Sequence, residues 1–245
     1  MLINENDFKS QLAKVFKLCG VASMLNAEKS DKFFKLTQRM LEENEKFNLT
    51  AITDVNKIIL NHYADCAIPL SKIKKGASVI DVGCGAGFPT LPFAILRDDL
   101  KITAMDATAK RVAYVEESAK ILGLDNVTAV VMRAEDGGNN PSYREKFDYA
   151  TARAVANMQI LSELCLPYVK VGGEFLAMKG KNALFELKDA KKAIAILGGA
   201  TAKIEEIKLT DGELSEEHPL LIVEKKAKTP QAYPRPYAKI SKKPL

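Results

Sequence analysis

The sequence predicts an α/β protein built on a doubly wound, mostly parallel β-sheet that follows a group of helices. Two patterns predict this class. From Gly76 onward, short apolar segments typical of strands alternate with segments of helical periodicity. Before residue 72, apolar residues recur only at helical spacing. We therefore divide the chain into an N-terminal helical cap (residues 1–72), a sheet domain (73–226) and a basic C-terminal tail (227–245).

The cap shows apolar residues three and four positions apart, which places them on one helix face. Two such groups occur: Phe8, Leu12, Val15 and Phe16, and then Phe33, Phe34, Leu36, Met40 and Leu41. Asn26 and Ser30 precede the second group and have side chains that can accept hydrogen bonds from a first helical turn, so we predict them as N-caps.

Five segments of the sheet domain have the length and composition of strands. They are SVIDV (78–82), KITAMD (101–106), VTAVVM (127–132), FDYATA (147–152) and GEFLAM (173–178). Helical segments lie between them, such as residues 108–123, which end at Gly123. Two further strand candidates, residues 201–209 and 219–225, are joined by a short connection with Asp211 and Gly212, so we expect an antiparallel hairpin at one edge.

Composition excludes several classes of protein. The chain has 245 residues and no run of 18 apolar residues, so we expect no membrane span. Its N-terminus lacks the apolar stretch of a secretory signal, and its four cysteines form no Cys-x-x-Cys pair. We therefore expect a cytoplasmic protein with reduced thiols. With only two histidines, a zinc site is not expected, and we predict no metal.

Basic residues are concentrated at the C-terminus. The net charge is +5, but residues 225–245 carry seven basic residues and no acidic one, which leaves residues 1–224 at about −2. Four prolines exclude one regular helix there. Either this segment is a solvated, mobile tail, or its lysines contact phosphates while Tyr233 and Tyr237 stack on exposed bases. On the second interpretation Lys225, Lys226 and Lys228 are phosphate contacts.

The segment Asp81–Pro89 is the most informative part of the sequence. It reads DVGCGAGFP, so Gly83, Gly85 and Gly87 alternate between a strand and a helix, where glycine permits a tight turn and close approach of a ligand. A dinucleotide-binding loop has the spacing Gly-x-Gly-x-x-Gly. The spacing here is Gly-x-Gly-x-Gly after an acidic residue, which resembles the S-adenosylmethionine loop of methyltransferases. A tight turn without a ligand is the alternative.

Two acidic positions follow at the ends of the next strands. Asp106 ends the second strand, where a carboxylate can accept hydrogen bonds from both ribose hydroxyls of a nucleoside. The alternative is that it caps the helix beginning near Thr108. The turn Arg133–Asp136 follows the third strand, where main-chain groups and a carboxylate can bind adenine, or where the carboxylate is simply solvated.

The turn after the fourth strand bears on the chemistry. It reads Thr151-Ala152-Arg153-Ala154 and lacks both the Asn/Asp-Pro-Pro-aromatic sequence of exocyclic amine methylation and the cysteine nucleophile of pyrimidine C5 methylation. Cys165 falls in the next helix and is expected in the core. An acceptor with its own lone pair, such as a ring nitrogen, fits this turn because no proton has to be removed. Catalysis would then rest on alignment of the reactants.

These segments together resemble one family. The chain is similar to the bacterial 16S ribosomal RNA guanine-N7 methyltransferase family, also called glucose-inhibited division protein B. The matching segments are Asn48–Ile52, His62–Asp65, the DVGCGAGFPTLP loop, Arg133–Glu135, Thr151–Ala156, Lys179-Gly180, Thr229-Pro230-x-x-Tyr233-Pro234-Arg235 and Lys243–Leu245. Thr90, Cys66 and the sequence PYAKISK after Arg235 depart from the family pattern.

The resemblance implies a class I S-adenosylmethionine-dependent methyltransferase with a Rossmann-like sheet of seven strands, and so assigns residues 73–226 as the methyltransferase domain. It implies that the cofactor is S-adenosylmethionine and that the acceptor is guanine 527 of 16S rRNA, in the conventional rRNA numbering, within the 30S ribosomal subunit. By resemblance Gly83, Phe88, Ala134, Glu135 and Arg153 contact the cofactor, together with Gly85, Gly87 and Asp106 of the loop motifs. Arg153 is also the candidate for positioning the reactants.

Candidate RNA-binding residues are Asn48, His62, Lys179 and Arg235. His62 and Asp65 are three residues apart and share a helix face, so a hydrogen-bonded structural pair is the alternative for His62. We expect a monomer. Two other functions stay open at this point: a methyltransferase acting on another RNA or a small molecule, which the loop motifs alone allow, and a nucleotide-binding protein without activity.

Overall fold

The computed structural model describes residues 3–245 and contains one mixed sheet of seven strands in the order β3-β2-β1-β4-β5-β7-β6. The strands are β1 Ser78–Val82, β2 Lys101–Asp106, β3 Val127–Val131, β4 Phe147–Arg153, β5 Val169–Met178, β6 Lys203–Thr210 and β7 Ser215–Glu224. Neighbouring strands from β3 to β5 run parallel, whereas β7 is antiparallel to both β5 and β6. The predicted sheet and its hairpin at one edge are confirmed.

The α-helices are α1 Glu5–Leu18, α2 Ala27–Asn44, α3 Val55–Ile58, α4 Asp65–Ala67, α5 Thr90–Leu96, α6 Ala109–Ile121, α7 Ala134–Asn139, α8 Met158–Cys165, α9 Ala183–Ile196 and α10 Tyr237–Lys242. A π-helical segment, Ile59–Ala64, joins α3 to α4. The side chain of Asn26 caps α2 as predicted. Ser30 is not an N-cap: it lies inside α2 and its hydroxyl donates to the carbonyl of Asn26.

Two hydrophobic clusters cover the two faces of the sheet. One joins α1 and α2 to α5 and α6, with Phe16, Phe33 and Tyr63 among its largest buried side chains. The other lies under α8, α9 and α10. The cap helices therefore complete the core on one face of the sheet. No helix within residues 3–245 is both long enough and apolar enough to cross a membrane.

Residues 227–245 are docked on the protein, which excludes their interpretation as a mobile tail. The guanidinium of Arg144 donates to the carbonyls of Tyr233 and Thr229, both at 2.7 Å. Ile240 of α10 is fully buried. Lys225 is also fully buried, and its ammonium donates to the carbonyl of Leu166 at 2.6 Å. The interpretation of Lys225 as a phosphate contact is therefore wrong.

Candidate active site

The glycine-rich loop opens a cavity at the carboxyl ends of the parallel strands, the usual place for ligands in such sheets. We call it the loop cavity; it has a volume of about 340 Å³. Its lining comprises Val82, Gly83, Met105–Thr108, Arg111, Met132–Glu135, Ala154, Val155, Leu164 and Tyr237. It thus brings together the ends of β1, β2, β3 and β4, which are distant in sequence.

All three loop glycines have positive φ, but only Gly83 lines the loop cavity. A Cβ atom on Gly83 would lie 2.7 Å from Cγ2 of Val155, so a side chain would close the gap between the loop and the turn after β4. A Cβ on Gly87 would lie 2.6 Å from Cδ1 of Leu91. Gly87 is therefore required for packing of α5 against the loop, whereas Gly83 keeps the cavity open.

Asp106 lines the loop cavity and also holds the loop in place. Its Oδ2 accepts a hydrogen bond from the main-chain N–H of Gly85 at 3.0 Å, and its Oδ1 accepts one from the N–H of Thr108 at 2.8 Å. Nη1 of Arg111 lies 3.7 Å from Oδ2. The N-cap of α6 is Thr108, and no side chain caps this helix, so the alternative that Asp106 is a helix cap is wrong; its carboxylate holds the turn before α6 and lines the cavity.

A second carboxylate, Asp81, is buried beneath the loop. Its Oδ2 accepts hydrogen bonds from the hydroxyl of Thr90 at 2.6 Å and from the Thr90 N–H at 3.3 Å. Burial raises the pKa of Asp81 to about 6. Its Oδ1 is buried and has no hydrogen-bond partner in the described part of the chain. Thr90, which departs from the family pattern, therefore supplies both hydrogen bonds of this carboxylate, one from its side chain and one from its main chain.

The third strand contributes the far wall of the loop cavity. Ala134 and Glu135 line it at the start of α7, and the carbonyl of Ala134 accepts a hydrogen bond from the hydroxyl of Tyr168 at 2.6 Å. This contact fixes the main chain at the position where the sequence predicts the adenine.

A second cavity of about 390 Å³ adjoins the first, and we call it the arginine cavity. Its lining comprises Ile52, Asn61, His62, Asp65, Arg153, Ala154, Met178–Asn182, Glu186 and His218. Ala154 lines both cavities. Its φ of 55° places it in the left-handed region, where residues other than glycine are uncommon.

Arg153 is held in the arginine cavity by three groups of the segment around the π-helix. Nη1 donates to the carbonyl of Asn61 at 2.7 Å and to Oδ2 of Asp65 at 3.0 Å, and Nη2 lies 2.6 Å from Nδ1 of His62. The guanidinium also lies over the ring of Phe88, 5.5 Å from its centroid. These contacts fix the orientation of its planar guanidinium.

The contact with Arg153 determines the protonation of His62. A guanidinium can only donate, so Nδ1 must accept and the ring proton must lie on Nε2, which is 3.2 Å from the hydroxyl of Thr50. Burial, and secondly the charge of Arg153, lower the pKa of His62 to about 3. His62 is therefore neutral, and its ring stacks on Phe88 with centroids 4.3 Å apart.

Asp65 joins this cluster to β7. Its Oδ2 accepts from Arg153, and its Oδ1 lies 3.0 Å from Nδ1 of His218. The hydrogen bond to Asp65 raises the pKa of His218. The predicted direct pair of His62 and Asp65 is wrong, because Arg153 lies between them and contacts both.

Comparison with known proteins shows the family of the chain. The family model described as rRNA small subunit methyltransferase G matches residues 29–215, which is more than half of the chain. The chain belongs to this family. Two relatives named ribosomal RNA small subunit methyltransferase G illustrate the match. That of Clostridium perfringens strain 13 is 46% identical over 232 residues, covering 94% of this chain and 96% of the relative. That of Lactobacillus johnsonii is 43% identical over 247 residues, covering 99% and 100%.

Solved structures show the same fold at low sequence identity. A SAM-dependent methyltransferase from Aquifex aeolicus has a TM-score of 0.51 and 19% identity, covering 75% of this chain and 97% of that one. A SAM-dependent O-methyltransferase from Thermotoga maritima has a TM-score of 0.50 and 17% identity, covering 77% and 72%. The predicted class I fold is confirmed. As a member of the rRNA small subunit methyltransferase G family, the chain is an S-adenosylmethionine-dependent methyltransferase.

The structure distributes the site residues predicted from the family over three places. Four line the loop cavity, namely Gly83, Asp106, Ala134 and Glu135. Three line the arginine cavity, namely His62, Arg153 and Lys179. The others, Gly85, Gly87, Phe88, Asn48 and Arg235, line neither. Arg153 was expected at both the cofactor and the methyl site, and the structure places it in the arginine cavity and not in the wall of the loop cavity.

Several of the residues outside the two cavities have structural partners. The N–H of Gly85 bonds Asp106, and Phe88 supports the ring of His62. The guanidinium of Arg235 forms an ion pair at 2.6 Å with Glu163, which is fully buried. Asn48 is exposed. The RNA contacts of Asn48 and Arg235 stay predictions.

Sequence reasoning missed His218 and Asn61 as members of the arginine cavity. His218 lies on β7, far along the chain from the cluster around Asp65, and an isolated histidine in a strand gives no signal. Asn61 lies within the π-helix, and its buried Oδ1 has no partner in the described residues. The change of helical period at that segment carries no sequence pattern. No group of three or more potential metal ligands is found within residues 3–245.

Proposed function

We propose that this methyltransferase transfers the methyl group of S-adenosylmethionine to N7 of guanine 527 in 16S rRNA. The cofactor would occupy the loop cavity and the guanine the arginine cavity. One observation carries this assignment: the two cavities adjoin at Ala154, directly after β4. A donor and an acceptor bound on either side of one alanine are near enough for direct transfer.

The residues of the loop cavity fit the cofactor. Its volume lies within the range of small-molecule sites. The carboxylate of Asp106 faces the space where ribose hydroxyls can donate, and Ala134 and Glu135 form the opposite wall. Asp81 keeps a buried oxygen without a partner beneath the loop, and its negative charge favours a cationic ligand. Bound there, S-adenosylmethionine supplies an electrophilic methyl group on a positively charged sulfur.

The arginine cavity suits an acceptor that needs no general base. Guanine N7 has a free lone pair, and neutral His62 and fully paired Arg153 have no role as proton acceptors in the transfer. The flat surface formed by His62 on Phe88 can support a planar base. Asn61 lines this cavity, and an amide side chain can hydrogen-bond the edge of a base.

The carboxylates that line the arginine cavity occur in ion pairs. Methylation at N7 makes the guanine ring cationic, and Asp65 and Glu186 both line the cavity. Asp65 is balanced by Arg153, and Glu186 is paired with Lys179 at 2.6 Å. These pairs hold the charged groups of the cavity in fixed positions, so none of them has to reorganise during the transfer.

We further infer that the substrate is presented within the small ribosomal subunit, in the cytoplasm, and that the enzyme acts as a monomer. The arginine cavity opens beside exposed lysines at the start of α9, and such a basic surface suits a ribosomal substrate.

Incubation with radiolabelled S-adenosylmethionine tests the assignment. Small ribosomal subunits and naked 16S rRNA, both lacking the modification, are compared, and the labelled nucleotide is mapped by mass spectrometry. We expect 7-methylguanine at position 527. A matched Gly83→Asp variant, whose side chain would collide with Val155 at the wall of the loop cavity, should incorporate no label. Label at another nucleotide, or only in small molecules, would contradict the proposal.

A further inference from the structure

Helix α9 carries an unusual solvent-exposed face. Phe185 is 76% exposed, the most exposed of the large hydrophobic side chains described, and its neighbour Leu184 is 60% exposed. The opposite face of the helix is conventional, because Leu187, Ala190 and Ile194 are buried under it. A single exposed aromatic residue needs no explanation, but this one has a basic neighbourhood.

Four lysines accompany the two apolar side chains. Lys188, Lys191 and Lys192 follow Leu184 and Phe185 at spacings of three and four along α9, so all five share one face of the helix. Lys181 precedes the helix. All four lysines are exposed, and none forms an ion pair within the described residues. The one carboxylate in the first turn, Glu186, is turned toward Lys179 instead. We call this surface the α9 face: Lys181, Leu184, Phe185, Lys188, Lys191 and Lys192.

The α9 face begins at the rim of the arginine cavity. Lys181 and Asn182 line that cavity, and α9 begins at Ala183. Phe185 is therefore within one helical turn of the cavity wall, about 5 Å along the axis. From there the lysines extend away from the cavity along the helix. An extended ligand that leaves the cavity in this direction contacts first an aromatic ring and then several positively charged side chains.

We propose that the α9 face binds the single-stranded RNA that flanks the target nucleotide. Phe185 would stack on an adjacent base, and Lys188 and Lys192 would contact the following phosphates. An aromatic platform followed by basic side chains is how proteins bind unpaired nucleotides. A base lifted into the arginine cavity leaves its neighbour without a stacking partner, and Phe185 can replace that partner. This inference rests on the proposed function, because it takes the arginine cavity as the acceptor site.

The absence of tryptophan from the chain allows a direct test. In the variant Phe185→Trp the new residue is the only tryptophan, so its fluorescence reports this surface alone. We expect quenching when unmodified 16S rRNA is added, and little change in a matched Ile121→Trp variant. Ile121 is 54% exposed at the last residue of α6, away from both cavities. Equal responses at the two positions, or none at Phe185→Trp while RNA is bound, would overturn the proposal.

Kinetics separate the α9 face from the reaction centre. Phe185→Ala should raise KM for the small subunit at least about fivefold, the change that corresponds to ~1 kcal/mol of base stacking, with kcat and cofactor affinity preserved. Ile121→Ala should leave KM unchanged.

The salt dependence of RNA binding tests the lysines. Lys188→Ala combined with Lys192→Ala should lower the slope of log affinity against log salt by about one per lost phosphate contact. The single variant Lys120→Ala, at an exposed position of α6, is the control.

The outcomes distinguish this proposal from the one on which it rests. If the unmodified enzyme methylates 16S rRNA and both α9 variants keep the normal KM and salt slope, the α9 face does not bind the substrate. If the enzyme methylates no RNA, the proposed function fails first. Fluorescence quenching by an acidic protein in place of RNA would also overturn the RNA assignment.

Discussion

Arg153 is the residue through which the arginine cavity is organised. It contacts His62, Asp65 and the carbonyl of Asn61 but does not line the loop cavity. We expect Arg153→Ala to lower kcat roughly 100-fold, because the acceptor loses its fixed surroundings, with the cofactor dissociation constant changed less than about twofold. Arg153→Lys should be nearly as slow, since one ammonium cannot contact three groups in this geometry. Single-turnover rates and calorimetry measure the two quantities. A kcat close to normal in Arg153→Ala would contradict this role.

Asp106 offers a complementary test in the other cavity. Asp106→Asn keeps one side-chain oxygen for the N–H of Gly85 or Thr108 but removes the charge that ribose hydroxyls would meet. We expect cofactor binding to weaken by about 1.5–3 kcal/mol. Calorimetry measures the affinity, and thermal unfolding checks the loop. Unchanged affinity in a folded variant would show that Asp106 supports the loop alone.

His218 should make stability depend on pH. Its pKa is raised in the folded protein, chiefly by the hydrogen bond to Asp65, while Glu216 raises it further and Arg153 opposes this. The stabilisation is therefore complete below the unfolded value of about 6.5 and is lost as pH rises through the raised value.

Comparison with His218→Gln isolates this effect. The difference in free energy of unfolding between the natural protein and the variant should be larger at pH 5.5 than at pH 8.5, by roughly 1 kcal/mol for a partly exposed pair. Urea unfolding at the two pH values measures it. An equal difference at both would show that the ion pair contributes nothing.

At the scale of single residues, the sequence predicts which residues belong to the site better than it predicts which of them contact each other. Gly83, Asp106 and Arg153 follow from motifs because each lies at the end of a strand or directly after one, whereas His62 follows only from the family resemblance. The partners of Arg153 do not follow, since Asp65 and His218 are separated by 153 positions and meet only when β7 closes the sheet. The burial of Lys225 could not be predicted either, because in the sequence it is one of several lysines in a basic segment.

Lys225 and Lys226 provide a matched pair for the segment after β7. Lys225 is fully buried and donates to Leu166 and Thr229, whereas Lys226 is exposed and pairs with Glu224. We expect Lys225→Ala to destabilise the protein by about 2–4 kcal/mol, because it leaves a cavity and a buried carbonyl without a donor. Lys226→Ala should change stability by less than about 0.5 kcal/mol. Urea denaturation measures both, and similar values would refute the anchoring role of Lys225.

At the scale of helices and strands, the bounds were predicted well where a local sequence pattern determines them and poorly where tertiary contacts determine them. The bounds of β1 and β2 agree with the predicted ones, since apolar runs and glycine turns delimit them. β5 starts at Val169, earlier than predicted, because Lys170, Val171 and Gly172 lack a strand pattern. Docking of residues 227–245 was also not predictable, since Arg144 reaches their carbonyls from a distant loop.

At the scale of the molecule, the cap and the sheet domain form one core. The ring of Phe33 lies 4.5 Å from that of Tyr63, which in turn lies 6.2 Å from Phe88 of the glycine-rich loop. Lys29 of α2 donates to the carbonyl of Leu96 at the end of α5. The division at residue 72 thus falls within a continuous hydrophobic cluster.

Removal of residues 1–72 should therefore abolish folding of the remainder. We expect the fragment 73–245 to show no cooperative thermal transition, because Phe88, Leu91 and Phe93 would be exposed to water. Circular dichroism and calorimetry compare it with the full chain. A sharp transition with native-like secondary structure would show that the cap is a separate unit.

The position of Ala154 has a consequence for inhibition. Because one residue forms part of both cavity walls, the proposed assignment of cofactor and guanine implies that a compound joining an adenosine-like part to a purine needs a linker of only a few atoms. The second part would then bind at high effective concentration once the first is in place. Linked analogues of increasing length should show a sharp optimum in potency, and that optimum would measure the span that the methyl group crosses.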